Sequence, residues 1–229
     1  MTPAVRLAID TSIGTSVALS LGERVVTLAS EDERGHTEVI GGLIAGVFER
    51  SGVSPEQVGA VVVGIGPGPF TGLRVGIAAA KAFAAGRGVP LLPICGHDAV
   101  AYHAMRDASD SMRSARDIMG DAADAMRDVR GAQRVRVLQD AKRRELFVTE
   151  YAGLDQAGLP VRVSEPRLLA RSDYAEAPGD VWPAEISAST LLRLAELRLR
   201  AGRGFEADQA IYLRNPDVYP AAAVKRVSS

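Results

Sequence analysis

The sequence predicts a mixed α/β fold, with one helix-flanked sheet and a second half that repeats the first in reduced form. Three observations carry this expectation. Short apolar runs and helical periodicity alternate in the order β-β-β-α-β-α-β-α through residue 130. A meander that feeds two crossovers places helices on the faces of one sheet. After residue 133, three more strand-like runs and a closing helix follow.

Residues 4–10 (AVRLAID) and 15–21 (TSVALSL) are apolar runs joined by turn-forming DTSIG, which reads as a hairpin, and 24–31 continues as a third strand. From Thr37 the period becomes helical: Val39, Leu43 and Val47 recur at i, i+4, i+8, and Gly52 and Pro55 end the run. Residues 58–64 (VGAVVVG) suit a buried strand. GIGPGPFTG then leads into a helix near 72–86, a strand at 89–94 and a helix starting near 97. In the second half RVRVLQD, ELFVTEY and VRVSEPRLL read as strands, and 188–202 as a helix.

A chain of 229 residues with 47% hydrophobic and 24% charged side chains can build a real core. The single cysteine, Cys95, excludes an internal disulfide. No apolar run reaches membrane-spanning length, and the start MTPAVRLAID lacks the pattern of a secretory leader, so a cytoplasmic location is expected. Net charge is −1, made of −2 over residues 1–100 and +1 over the rest. Neither half carries the positive excess that direct, non-specific RNA binding uses.

GIGPGPFTGLRVG, at 64–76, lies between strand and helix with Thr71 as the expected N-cap. Such a junction can bind an anion or serve as a rigid elbow. It matches neither a Walker A loop nor G-x-G-x-x-G. Asp10-Thr11-Ser12 at the hairpin turn can face a phosphate, or only satisfy its own turn. His36, His97 and His103 form no metal set, and His97 and His103 stand about 240° apart on a helix. Cys95 ends an apolar strand, where a core thiol fits better than a nucleophile. Lys142-Arg143-Arg144 reads as a solvated turn, with RNA or an acidic partner surface as the alternative.

Residues 104–131 divide into four heptads. Met105, Met112, Met119 and Met126 recur every seven residues, with Ala108, Ala115, Ala122 and Val129 three later. This predicts a lengthened helix whose Met stripe packs on the body of the protein. A coiled-coil contact or a disordered loop are the alternatives.

The helix at 72–86 is small and apolar on almost every side, with Gly72, Gly76, Ala80 and Ala84 on one ridge. The helix before it repeats the feature with Gly42 and Gly46 beside Val39, Leu43 and Val47. These surfaces, Val39, Leu43, Gly46, Val47, Gly72, Gly76, Ala80 and Ala84, are the expected partner interface, the alternative being that the second half of the chain or the Met-rich helix covers them.

Taken together, IDTSIGTSVAL, His36-Thr37-Glu38, VGIGPGPFTGLRVGIAAAKAFA, VLQDAKRRELFVTEY and IYLRNPD resemble the TsaB (YeaZ) family. The resemblance implies a two-lobed actin/Hsp70/sugar-kinase-like (ASKHA) fold with a reduced second lobe. The expected lobes are 1–100 and 101–215, with residues 216–229 unplaced. It implies a non-catalytic partner of the catalytic paralogue TsaD and the ATPase TsaE in tRNA threonylcarbamoyladenosine formation. A homodimer is expected when the chain is alone, and tRNA is met only indirectly. The runner-up is a small-molecule kinase or ATPase of the same fold with Asp10 as base.

Inactivity is also expected from the residues. Gly96 and Val100 stand where the paralogue is expected to place two metal-binding histidines, and neither can ligate a metal. Residues 133–229 lack Asp-x-Gly-x-Thr and a Gly-Gly pair. No catalytic residue, metal or resident cofactor is therefore expected, a nucleotide at a partner interface being the one open alternative. Asp10, Thr11, Ser12, Gly68 and Thr71 are expected as a vestigial phosphate site. Pro69 replaces a usual Ser, and Arg144 a usual turn glycine.

Overall fold

The computed structural model describes residues 5–30, 36–119 and 134–214, except the side chains of His36 and 112–119. Strands β1 (Val5–Asp10), β2 (Thr15–Leu21) and β3 (Arg24–Ser30) form an antiparallel meander, and β4 (Val58–Gly64) and β5 (Leu91–Ile94) join β1 in parallel. The sheet order is β3-β2-β1-β4-β5. Strand alternation sorts its side chains to two faces. Leu7, Ile9, Val17, Leu19, Val61 and Val63 pack under helices α1 (His36–Ser51) and α2 (Phe70–Arg87). Ala8, Ala18, Ala60 and Val62 face the other way, toward helix α4 (Ala188–Arg200). Small residues on that face let α4 lie close to the strands.

Helix α3 (Gly96–Met119) connects this sheet to a second one of order β10-β6-β7-β8. The second sheet comprises β6 (Val135–Asp140), β7 (Glu145–Leu154), β8 (Pro160–Arg162), β9 (Arg167–Ala170) and β10 (Asp180–Val181). The expected single strand VRVSEPRLL is two. β8 pairs with the end of β7 and β9 with its beginning, on the same edge. Pro166, between them, has no N–H to continue a ladder. The two-residue β10 carries no periodicity and was not foreseen in the sequence.

One further expectation is corrected. The N-cap of α2 is Pro69, not Thr71, which lies within the first turn. The proline's fixed φ of −60° sets the entry angle, and its side chain makes no cap hydrogen bond. The heptad segment is helical from Ala104 as far as Met119, with Met105 buried in the core. The rest of it, including Met126, falls outside the described residues. Among the described residues no helix is long and apolar enough to cross a membrane.

Candidate functional site

A cleft of about 480 Å³ opens between the two sheets. One wall is the β1–β2 turn (Ser12, Ile13, Gly14) and the first turns of α2 (Thr71, Gly72, Val75). The other is Gln139, Asp140 and Lys142 at the β6–β7 turn, with Trp182 at the rim. Of the five expected phosphate-site residues, Ser12 and Thr71 line the cleft. Asp10, Thr11 and Gly68 lie behind it.

Asp10 is fully buried and accepts hydrogen bonds from Ser12 N (2.7 Å) and Ser12 Oγ (3.1 Å). Its carboxylate presses on Gly64, where any Cβ would overlap it. Burial pushes its pKa up to about 7, and the two Ser12 bonds oppose the shift. Thr11 bridges into α2: Oγ1 donates to Gly72 O (2.7 Å) and accepts from Gly76 N (3.0 Å). A Cβ on Gly76 would collide with Thr11, and one on Gly68 would press on Ser12. The glycines of this segment therefore answer to close packing of backbone on the β1–β2 turn.

That packing turns five of the eight expected interface residues, Val47, Gly72, Gly76, Ala80 and Ala84, inward. Gly72, Gly76, Ala80 and Ala84 are buried against the molecule's own sheet. Val47 is fully buried, Gly46 faces Leu28 of β3, and Val39 and Leu43 are half-buried. The physical reason is helix phase: the stripe that reads as surplus apolar surface is the stripe the sheet requires. The exposed positions lie on the opposite faces, at Gly41, Gly42 and Ala45 of α1 and Ala78, Ala82 and Ala85 of α2. Phe48 and Phe83 stack at 5.8 Å and hold the two helices side by side.

The second wall carries a constrained turn. Lys142, Arg143 and Arg144 all have left-handed backbone, with φ of 60°, 52° and 64°. Each costs on the order of 1 kcal/mol for a side chain with Cβ. Asp140 Oδ1 accepts from Lys142 N (3.0 Å) and Arg171 (3.2 Å). Burial acts to raise the Asp140 pKa, but these bonds and cations outweigh it and hold it below its ordinary value.

Beneath the cleft runs a buried relay that the sequence reading missed. Gln139 Nε2 donates to Ser12 O (3.1 Å), which aims Gln139 Oε1 at His97 Nε2 (3.3 Å). An amide oxygen only accepts, so Nε2 carries the imidazole proton and Nδ1 accepts from Thr149 Oγ1 (2.8 Å). Burial, the largest influence, lowers the His97 pKa to about 4. A second cluster surrounds buried Asp98. It accepts a bidentate pair from Arg162 (2.8 Å each), one bond from Arg198 (3.0 Å) and one from the Tyr151 hydroxyl (2.9 Å). These partners stand 53 to 100 residues apart, so no local signal announces them. Cys95 is fully buried and burial pushes its thiol pKa up, which removes the nucleophile alternative. Among the described residues no cluster of three or more His, Cys, Asp or Glu could hold a metal ion.

Comparison with known proteins places this architecture. A family model described as "TsaD: tRNA N6-adenosine threonylcarbamoyltransferase" matches residues 28–131. The chain is 28% identical over 180 residues to the uncharacterized protein Rv3421c of Mycobacterium tuberculosis, covering 75% of this chain and 68% of that one. It is 38% identical over 99 residues to the tRNA threonylcarbamoyladenosine biosynthesis protein TsaB of Haemophilus influenzae, covering 43% of this chain and 42% of that protein. The solved structure of YeaZ from Pseudomonas aeruginosa superposes with a TM-score of 0.72 at 23% identity, covering 92% of this chain and all of that one.

Proposed function

We propose that this chain, which has the fold of YeaZ and is similar in sequence to TsaB and TsaD proteins, serves tRNA threonylcarbamoyladenosine biosynthesis as a non-catalytic subunit. Its role is to bind a TsaD-type catalytic paralogue. The observation that carries the reading is the outward face of α1 and α2. Gly41, Gly42 and Ala45 of α1 and Ala78 and Ala82 of α2 are all exposed, with open space beyond the Cβ positions of both glycines, and the Phe48–Phe83 stack holds the two helices together. Two adjacent helices with small outward side chains let a second helix pair approach closely. The same face would hold a homodimer when the chain is alone. A TsaE-type ATPase and tRNA are then met through the partner.

A catalytic role fits the cleft poorly. Asp10, the base that a kinase of this fold would use, is sealed behind Ser12 and Gly64. A general base has to reach the proton it takes. The test is reconstitution. A TsaD-type protein from the same genome should co-purify with this chain and modify tRNA only in its presence, and Ala82→Arg should abolish both effects while the fold survives. Full stimulation by Ala82→Arg, or substrate-dependent ADP release by the isolated chain, would overturn the reading.

A further inference from the structure

After α4 the chain does not leave the molecule. Glu206 N donates to Pro93 O (3.2 Å) along β5, and the Glu206 carboxylate pairs with Arg162 (2.8 Å). Asp208 pairs with Lys81 of α2 (3.0 Å). Ile211 N donates to Ile65 O (2.8 Å), while Ala210 and Ile211 pack on the core beside α2. The Tyr212 ring lies 4.9 Å from that of Phe70, and its hydroxyl accepts from Arg74 Nε (3.3 Å). Two residues on, Arg214 pairs with Glu145 and donates to Ala141 O (3.1 Å). Between Tyr212 and Arg214 the strap passes from one wall of the cleft, the start of α2, to the other, the β6–β7 turn.

From this path we infer that residues 206–214 are a latch that holds the two cleft walls at a fixed separation. Below the rim the two sheets share a buried core that includes Ala8 and Val62 of the first and Val137 and Tyr151 of the second, and at the cleft floor Gln139 Nε2 donates to Ser12 O. A pivot at the floor and a tie at the rim are what set an angle between two bodies. Here the chain itself bridges the two walls. The rim contacts are partly exposed ion pairs, hydrogen bonds and one aromatic pair, weaker than the core on either side. The latch therefore opens by a local step, below the free energy of global unfolding, and more readily at high salt. The inference does not depend on which partner the chain binds.

The full chain with Tyr212→Ala and Arg214→Ala combined tests it. Native-state amide exchange should speed up at least tenfold at Ala141 and Glu145, whose N–H groups close the β6–β7 turn. Val62 and Ile9 in the first sheet should slow or quicken by less than twofold. Spin labels at Ala78 and Arg167, on opposite sides of the cleft, should show a longer and broader distance distribution in the double variant. Val47→Ala, which weakens the core far from the strap, controls for stability and should leave the distribution unchanged. Unchanged exchange at the turn, an equal acceleration at all amides, or an unaltered distance distribution would each overturn the latch.

Discussion

Thr11 Oγ1 lies 3.0 Å from the amide nitrogen of Gly76 and 2.7 Å from the carbonyl of Gly72, so one hydroxyl is set into the backbone of α2. The contact explains two sequence features at once. Thr11 sits in a segment that resembles a phosphate loop, and Gly76 in a ridge that resembles a docking surface. Each is there for the other.

The pair can be tested by a double-mutant cycle. Gly76→Ala should destabilise the protein by about 1–3 kcal/mol, because its Cβ would overlap Thr11. Thr11→Ala should also destabilise, because it removes the hydroxyl that bridges Gly72 O and Gly76 N. The double variant should lose clearly less than the sum, since removing Oγ1 and Cγ2 makes room for the new methyl. Additive losses in urea unfolding would mean that the two residues do not meet as described.

Ala80 and Ala82 separate the inward from the outward face of α2. Ala80→Arg should prevent folding or lose more than about 4 kcal/mol, because a charge would enter a fully buried site without a partner. Ala82→Arg should change stability by less than about 0.5 kcal/mol, being exposed. Thermal melts of both proteins decide it. Equal behaviour would mean that the helix phase is wrong.

Asp10 and His97 impose opposite pH dependences. The folded-state pKa of Asp10 is raised from 3.8 to about 7, so its stabilisation is complete below pH 3.8 and lost as the pH rises through about 7. That of His97 is lowered from 6.5 to about 4, so its contribution is complete above pH 6.5 and lost as the pH falls through about 4. Between those values the two slopes nearly cancel. Asp10→Asn should remove one of them, leaving a protein that loses on the order of 3 kcal/mol on acidification from pH 7 to 4. His97→Gln should do the reverse and grow more stable toward acid. Urea midpoints across pH 4.5–8 measure both, and parallel profiles for the two variants would contradict the assignment.

The buried Asp98 cluster predicts a sharp contrast at Arg162. Arg162→Leu should destabilise by about 3–5 kcal/mol, since it strands a buried carboxylate that Arg198 alone must then neutralise. Arg193→Leu, on the exposed side of α4, should change stability by less than about 1 kcal/mol despite its own ion pair with Glu196. Comparable losses from the two changes, read from denaturant unfolding, would remove Asp98 from the list of structural centres.

Much of the first sheet was legible residue by residue. The alternation of β1 and β2, the DTSIG turn and the apolar run of β4 are local signals, and a strand's period of two fixes which side chains share a face. Helices α1, α2 and α4 were found within a few residues of their ends for the same reason. The second sheet was only partly legible. Strands of two to four residues, such as β10 and β8, are too short to show a period.

What the sequence alone determined is where strands and helices form and which side chains on each share a face, because those depend on neighbours along the chain. Tertiary structure decided which face of α2 is inside, that α4 returns to cover the first sheet, and that Asp10 is sealed. It also brought His97 to Gln139 and Thr149, and Asp98 to Arg162 and Arg198. Helical periodicity defines a stripe without saying what covers it. Only close approach of distant segments, such as Thr11 on Gly76, turns a stripe of small residues into a packed interior.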